Sequence, residues 1–347
     1  MQIDFKIIHL KKKFPLRISR GVRDGQYNLF VSVADGEHIG WGETSPGISE
    51  GAETAEEAQK HLEDFLKTCP DTTSPIAVYD AALESKVAPC ALAALDMALW
   101  DVLAKKAKLP MYQLLGFKKP AKPTSITLGI MSPEEARQRL PLLLDKTGIS
   151  TLKVKLGSNE GIEADKAMYA EVLEYGNKHP LSIRVDANGG WDVDDAKKMM
   201  KWLADRQCQY VEQPLEEGQE DGLSYLFKNR PLPIYVDESC RFAPDIPKWA
   251  HMVDGVNMKL MKCGGITGAL RIISTANAFG LKTMIGCMGE SSISIAAGAA
   301  VSGALDHIDL DSHLNLNPDP CEGAPLVGGI TMPLDRPGHG GRFKPTT

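Results

Sequence analysis

No run of about 18 consecutive apolar residues occurs in the 347-residue sequence, so no segment is expected to span a bilayer. The opening stretch MQIDFKIIHLKKKF has no apolar core behind a basic segment, so no secretory leader is expected. A C-x-x-C pair is missing. The seven cysteines, Cys69, Cys90, Cys208, Cys240, Cys263, Cys287 and Cys321, are scattered and odd in number. They read as reduced thiols of a cytoplasmic protein, not as a disulfide framework. The eight histidines form neither H-E-x-x-H nor H-x-H, which argues against a zinc site. No G-x-x-x-x-G-K-[ST] is present, nor a G-x-G-x-x-G opening a helix after a strand, so the common phosphate cradles are excluded. A lipase-type serine site is not expected. Excess positive charge is missing as well: 45 acidic against 39 basic residues leave −6, which speaks against a nucleic-acid partner.

What is present is near the globular average, with 43% apolar and 24% charged residues, so disorder and fibres are excluded. At about 150 residues per domain the chain makes two domains, or one large barrel with an appendage. It is long enough to bury a core without disulfides or a structural metal. The 32 glycines point to many tight connections.

From about residue 124 short β-rich runs alternate with amphipathic stretches. The strand candidates are Ser125–Ile130, Thr151–Leu156, Ser182–Ala187, Tyr210–Pro214, Ile234–Glu238, Val256–Leu260, Lys282–Cys287 and His307–Ser312. Helical patterns lie between them; one starts with Ser132 as N-cap and Pro133 at the first helical position. Strands spaced by helices imply right-handed parallel crossovers. Eight of them point to a (β/α)8-type barrel, with an open doubly wound sheet as the alternative that pattern alone leaves open. The first 120 residues differ. Asn28–Ala34 and His38–Glu43 read as an antiparallel pair around the turn Asp35-Gly36. Helical segments follow near 52–67 and 88–107, the latter with Leu92, Leu95, Leu99 and Val102 on a buried face. The expected organisation is α/β: an α+β capping domain from residues 1–120 with 316–347 returning to it, and a barrel from 121–315. In the tail only Gly329–Met332 looks like a strand.

Ionisable residues fall at one phase of this repeat. Lys153 and Lys155 end the second strand, Asp186 the third, Glu212 the fourth, Asp237 the fifth, Lys259 the sixth, and Asp309 and Asp311 the eighth. The steps from Asp186 to Glu212, Asp237 and Lys259 are 26, 25 and 22 residues, one βα unit each. In a barrel that phase is the C-terminal mouth, where active sites are built. A single acid after a strand is usually an N-cap. Three acids on consecutive strands, flanked by lysines, would repel one another and raise their pKa values. A bound cation relieves that, and an all-oxygen ligand set favours Mg²⁺, with Mn²⁺ possible.

The strings KVK at 153–155, VDAN at 185–188, VEQP at 211–214, VDES at 236–239 and VNMKLMKCGG at 256–265 resemble the enolase superfamily. Within it they are similar to the muconate-lactonizing subgroup, and the likeness spans essentially the whole chain. It implies a capping domain on a (β/α)7β TIM-like barrel. It also implies that Asp186, Glu212 and Asp237 bind Mg²⁺, and that Lys155 and Lys259 are acid/base residues on opposite faces of the substrate. Lys153 would sit behind Lys155 and help depress its pKa. An ordinary lysine, at about 10.4, is too protonated to act as a base near neutrality. A neighbouring ammonium and a metal both push it down. Asn188 and Glu238 would support the ligands from behind.

Two opposed lysines permit removal of a proton α to a carboxylate from one side and its return from the other. The Asp309-Leu310-Asp311 string resembles dipeptide epimerases of the L-Ala-D/L-Glu type, where such a pair binds the substrate's free ammonium. Two carboxylates suit that cation and would repel the anionic substrates of muconate cycloisomerase, o-succinylbenzoate synthase or N-succinylamino acid racemase, the alternatives within the subgroup. A non-catalytic metal-binding protein is the alternative of another class. The segment Ile18-Ser19-Arg20-Gly21-Val22-Arg23 resembles the cap loop in which an arginine reaches a glutamate side chain. Arg20 is the better match and Arg23 the second. Gly47–Thr54 resembles the second cap loop, whose acidic residues would instead favour a cationic side chain. Cys287 and Met288 end the seventh strand and are expected to line the pocket, Cys287 as wall because no histidine is placed to activate it. The expected partner is a dipeptide, with Ala-Glu leading, neither nucleic acid nor membrane, and homo-oligomers are possible.

Overall fold

Alternation of outward polar and inward apolar side chains, with a step at Ile7-Ile8 and Lys12 as an inward exception, makes β1 (Gln2–Ile18) in the computed structural model, which describes residues 1–69, 71–145 and 147–345. β1 is not among the expected elements. Its inward residues Ile3, Phe5 and Ile7 are only half-buried and its outward ones are charged, so it lacks the apolar density of a core strand. It pairs antiparallel with β2 (Gly21–Asp35), which pairs with β3 (His38–Thr44) in the expected register, Asp35 opposite His38. Helices α1 (Ala55–Leu66), α2 (Pro75–Glu84) and α3 (Pro89–Lys106) follow, α2 being a further element beyond the expected set. α3 buries Leu92, Leu95, Leu99 and Val102 and most of its other face too, being held between the sheet and its neighbours. The sheet approaches it closely because Gly40 and Gly42 alternate on one face of β3. A Cβ at either would collide with the Ala98 or Ala94 carbonyl.

Eight parallel strands come next: β4 (Ile126–Leu128), β5 (Thr151–Lys155), β6 (Ser182–Asp186), β7 (Cys208–Glu212), β8 (Ile234–Val236), β9 (Gly255–Lys259), β10 (Lys282–Gly286) and β11 (His307–Ile308). Each pairs with the next in sequence order. Thr124 bridges Ile308 in parallel, and the Ser125 N–H donates to the Ile308 carbonyl at 3.0 Å, so the last strand returns to the first. The fold is a barrel and not an open sheet. Its helices use local signals as expected: Ser132 and Glu135 form a reciprocal capping box at Pro133–Leu144.

Contacts of the tail run two ways. Phe343 packs on Phe30 and Trp41 of the sheet, and the His339 N–H donates to Asp101 of α3 at 2.8 Å. The hairpin Leu326–Val327 with Ile330–Thr331 lies instead against the barrel, Gly329 accepting from Thr124 N–H at 2.9 Å. Thr346 and Thr347, the end of the expected capping segment, lie outside the described residues.

The sheet is fastened over the barrel mouth by Glu43 of β3. Its carboxylate accepts from Asn28 Nδ2 (2.7 Å), Ser291 N–H (2.9 Å) and Ser291 Oγ (2.5 Å), at the N-terminus of the helix Ser292–Val301. Burial pushes this carboxyl up to about 8 against those donors. The Asn28 amide also donates to the Gly289 carbonyl at 2.7 Å, so the hairpin between β1 and β2 overhangs the loop after β10.

Candidate active site

Strand register gathers the charges. Lys155 lies opposite Asp186, and Asp186 opposite Glu212, each the last residue of its strand, while Asp237 follows β8 directly. Lys155 Nζ is 2.5 Å from Asp186 Oδ2. Lys259 Nζ is 2.7 Å from Asp237 Oδ2. β5 and β9 are four strands apart in a ring of eight, so these lysines face each other across the mouth. Between them the carboxylates of Asp186, Glu212 and Asp237 each bring an oxygen within 4.8 Å of the others.

All three acids are inaccessible to solvent. Burial, then the charges of Asp186 and Asp237, push Glu212 up to about 8. Glu212 Oε2 is buried without a hydrogen-bond partner, and so are Glu238 Oε2 and Asn188 Oδ1 nearby. Asp237 Oδ2 has its close lysine but no well-angled hydrogen bond. Inward-facing lone pairs of this kind are costly unless something binds them. Oxygen donors on a rigid rim fit a hard dication.

Lys153 sits deeper than Lys155. Its ammonium touches Glu212 (2.8 Å), Asp309 (2.9 Å) and Asp186 (3.2 Å). Burial works against the charge, but those three carboxylates outweigh it and hold Lys153 well above the ordinary lysine value. Lys259 is likewise held high: burial opposes, Asp237 and Glu238 prevail. These carboxylates therefore tie up ammonium groups that a bound cation would release.

The Asp309–Asp311 pair divides. Asp309 is turned inward, accepting from Lys153 and from Ser125 Oγ (2.5 Å). Asp311 accepts the Thr127 N–H at 2.7 Å and keeps its other oxygen beside Cys287 Sγ at 3.7 Å. Burial and the charge of Asp309 hold Asp311 up at about 6. Both line a cavity of about 310 Å³ whose walls include Leu128, Met131 and Leu143. A second lobe of about 230 Å³ extends under the cap hairpin past Ile18, Arg20, Val22, Arg23 and Glu50. Leu16, Lys155, Lys259, Cys287 and Met288 belong to both lobes and form the waist.

Arg20 lies where expected but has another partner. Its guanidinium pairs with Glu238 at 2.6 Å and donates to the Asn188 carbonyl at 3.1 Å. Asn188 donates in turn to Asp186 and Glu238, so the cap hairpin is tied to the residues beside the carboxylate triad. The expected guanidinium thus stands on the cap hairpin, half exposed, with Glu238 as its partner.

Four polar residues of the site escape sequence reasoning. Lys262 is fully buried and bonds the Asp237 carboxylate and carbonyl. Asn257 donates to Glu212 at 2.8 Å. Gln213, with φ 37°, accepts the Asp237 N–H at 2.9 Å. Lys12 reaches the waist from β1. The first three lie inside the recognised strings but at no repeated phase. Lys12 is hidden in a basic run that reads as solvated. Gly47-Ile48-Ser49-Glu50-Gly51 has G-x-S-x-G spacing. It forms a single 3₁₀ turn (Ile48–Glu50), not a strand-to-helix elbow, and Ser49 Oγ donates to Glu50 at 2.7 Å.

Residues 2–116 match the family described as mandelate racemase / muconate lactonizing enzyme, N-terminal domain, and residues 135–346 match the enolase C-terminal domain-like family. The chain is 61% identical over 344 residues to a hydrophobic dipeptide epimerase of Flavobacteria bacterium (strain MS024-2A), covering 99% of each. It is 57% identical to a hydrophobic dipeptide epimerase of Roseobacter litoralis over 341 residues, 98% of each. Among solved structures, the dipeptide epimerase of Enterococcus faecalis V583 complexed with Mg and the dipeptide L-Leu-L-Tyr superposes with TM-score 0.89 at 33% identity, over 98% of both chains. The substrate-liganded L-Ala-D/L-Glu epimerase of Bacillus subtilis gives 0.90 at 27% identity, again over 98% of both.

Proposed function

Because the chain belongs to the mandelate racemase / muconate lactonizing enzyme family of the enolase superfamily, we infer that it is a Mg²⁺-dependent dipeptide epimerase. It inverts the C-terminal residue of a dipeptide by 1,1-proton transfer through an enolate. The observation that carries this reading is one juxtaposition: a buried carboxylate triad with unpartnered oxygens, opposed lysines on β5 and β9, and the pair Asp309 and Asp311 lining the cavity that those lysines border.

Asp186, Glu212 and Asp237 would hold the metal. When bound, Mg²⁺ supplies the charge that stabilises an enolate of the substrate carboxylate and lowers the pKa of the flanking lysines. Lys155 and Lys259 take the α-proton from one face and return one on the other. Lys153 and Lys262, deeper in the barrel, hold the acids in place and balance their charge. Asp311, backed by Asp309, takes the free ammonium. Cys287 and Met288 form the wall beside the reacting carbon. The seven unpaired cysteines support a reducing, cytoplasmic setting, with dipeptides released from larger peptides, such as those of the cell wall, as the supply.

Two findings direct the substrate away from Ala-Glu and toward apolar side chains. Arg20 is paired with Glu238, and the lobe it borders offers Ile18, Val22 and Met288 beside the polar Arg23, Gln26 and Glu50. The relatives at 61% and 57% identity are hydrophobic dipeptide epimerases. Arg20→Gln is expected to lower kcat/KM for L-Ala-L-Glu and for L-Ala-L-Leu by the same factor, because it loosens the cap over both. A loss confined to the glutamyl substrate would return Arg20 to side-chain recognition.

The decisive test is a dipeptide library incubated in D₂O with Mg²⁺ and read by mass. One deuterium is expected at the α-carbon of the C-terminal residue, fastest for apolar dipeptides. If no dipeptide exchanges, the assignment is wrong. A pH series adds a signature of Asp311. Its carboxyl is held at about 6, so below that pH it is protonated and no longer attracts an ammonium. KM should rise as pH falls through 6, and Asp311→Asn should show a high KM that no longer changes there.

A further inference from the structure

Lys12 is the middle residue of the basic run Lys11-Lys12-Lys13. Strand alternation turns Lys11 and Lys13 to solvent, and Lys12 onto the inward face that it shares with Leu10. Leu10 is 1% exposed and Lys12 only 9%. The β1–β2 register breaks between Lys11 and Leu16, and the freed segment is fastened to the loop after β11. Asn317 N–H donates to the Lys11 carbonyl (2.8 Å), Lys13 Nζ to the Leu314 carbonyl (2.8 Å) and Phe14 N–H to Asn315 Oδ1 (3.0 Å). Those bonds, on both sides of Lys12, fix it over the cavity.

Lys12 lines both lobes of the cavity, as Lys155 and Lys259 do. Those two are paired with Asp186 and Asp237. The charges near Lys12, those of Asp311, Glu290 and Arg23, act on it only through space, and none of these groups hydrogen-bonds it. Its other waist neighbours, Leu16, Cys287 and Met288, are apolar or weakly polar. An ammonium carries three donors; Lys12 Nζ is not one of the sealed unpartnered atoms, so those donors open onto the cavity. The position is therefore prepared for an oxygen that the protein itself does not supply.

We propose that Lys12 donates a hydrogen bond to the carbonyl oxygen of the substrate's peptide bond. This rests on the dipeptide reading above. The two ends of a dipeptide are already claimed, the carboxylate by the metal rim and the ammonium by Asp311. What lies between the reacting carbon, flanked by Lys155 and Lys259, and the ammonium is the amide. Its carbonyl is the one strong acceptor there. A bond from Lys12 would fix the rotation that presents the α-hydrogen to the lysines. It would also favour acylated over free amino acids.

The test is Lys12→Met, which keeps length and suits a buried site, with Lys12→Arg as the variant that keeps a donor. Lys12→Met is expected to raise KM for L-Ala-L-Leu by about ten- to a hundredfold, the range for a hydrogen bond to a charged group, with kcat much less affected. Lys12→Arg should recover part of the loss, and Mg²⁺ binding by calorimetry should match the wild type in both. Affinities for the dipeptide and for its trans-alkene isostere, which lacks the carbonyl, give a second readout. The wild type should prefer the dipeptide, and Lys12→Met should bind the two alike. A wild-type KM in Lys12→Met, or an undiminished preference for the dipeptide, would overturn the proposal while leaving the epimerase reading intact. A wild-type protein that exchanges no dipeptide α-proton would overturn both.

Discussion

Lys155→Met and Lys259→Met are each expected to lower epimerisation by about a hundred- to ten-thousandfold, the usual contribution of a positioned acid or base. The two lysines stand on strands four apart in a closed ring of eight, with the carboxylate triad between them. A substrate carboxylate bound to a metal that the triad would hold would have its α-carbon between the two lysine side chains, one on each face. Inversion needs both, whereas exchange of the α-hydrogen of one diastereomer needs only the lysine on its own side. Each variant should therefore wash solvent deuterium into one diastereomer and not the other, and the two variants should show opposite preferences. Proton NMR of L,L and L,D dipeptides in D₂O reads both outcomes. The two-base mechanism is lost if either variant inverts its substrate at the wild-type rate.

Chelation should be equally severe. With EDTA, turnover is expected to stop, and added Mg²⁺ should restore it. The argument is electrostatic. Asp186, Glu212 and Asp237 are buried together, and the ammonium groups paired with them among the described residues are those of Lys153, Lys155, Lys259 and Lys262. Glu212 is raised to about 8 and keeps an oxygen without a partner. Mg²⁺ bound to the folded state alone must also stabilise it, by about 2.7 kcal/mol at a hundred times the dissociation constant. Thermal melting with and without Mg²⁺ measures this. Glu212→Gln, nearly the same shape, is the clean variant and should abolish both the activity and the Mg²⁺-dependent shift. Asp237→Asn is less clean because it strips charge from Lys259 and Lys262 together. Breaking a buried pair in this way costs about 3–5 kcal/mol of stability by itself. A chelated protein that still epimerises, or a melting curve indifferent to Mg²⁺, would remove the metal from the mechanism.

Legibility in the sequence followed the range of the interaction. Each barrel strand was visible because its signal is local: a short β-rich run, then an amphipathic helix. The metal rim was visible for the same reason, since Asp186, Glu212 and Asp237 recur once per βα unit. Residues that act across the structure were not. Lys262 has no repeated phase, yet it bonds Asp237 from 25 residues away. The Arg20–Glu238 pair was not visible, because Glu238 lies 218 residues further along the chain. β1 was missed because its inward face is completed by other elements.

No helix among the described residues is long and apolar enough to cross a membrane. From one dimension came the order of strands, the acids at their ends and the two lysines, because backbone alternation and helix periodicity act over a few residues. Only the folded chain decided that the sheet closes through Thr124 and Ile308. Closure is what sets β5 opposite β9 and two separate lysines face to face across the mouth. Such pairings join residues hundreds of positions apart, and no local pattern encodes the contact.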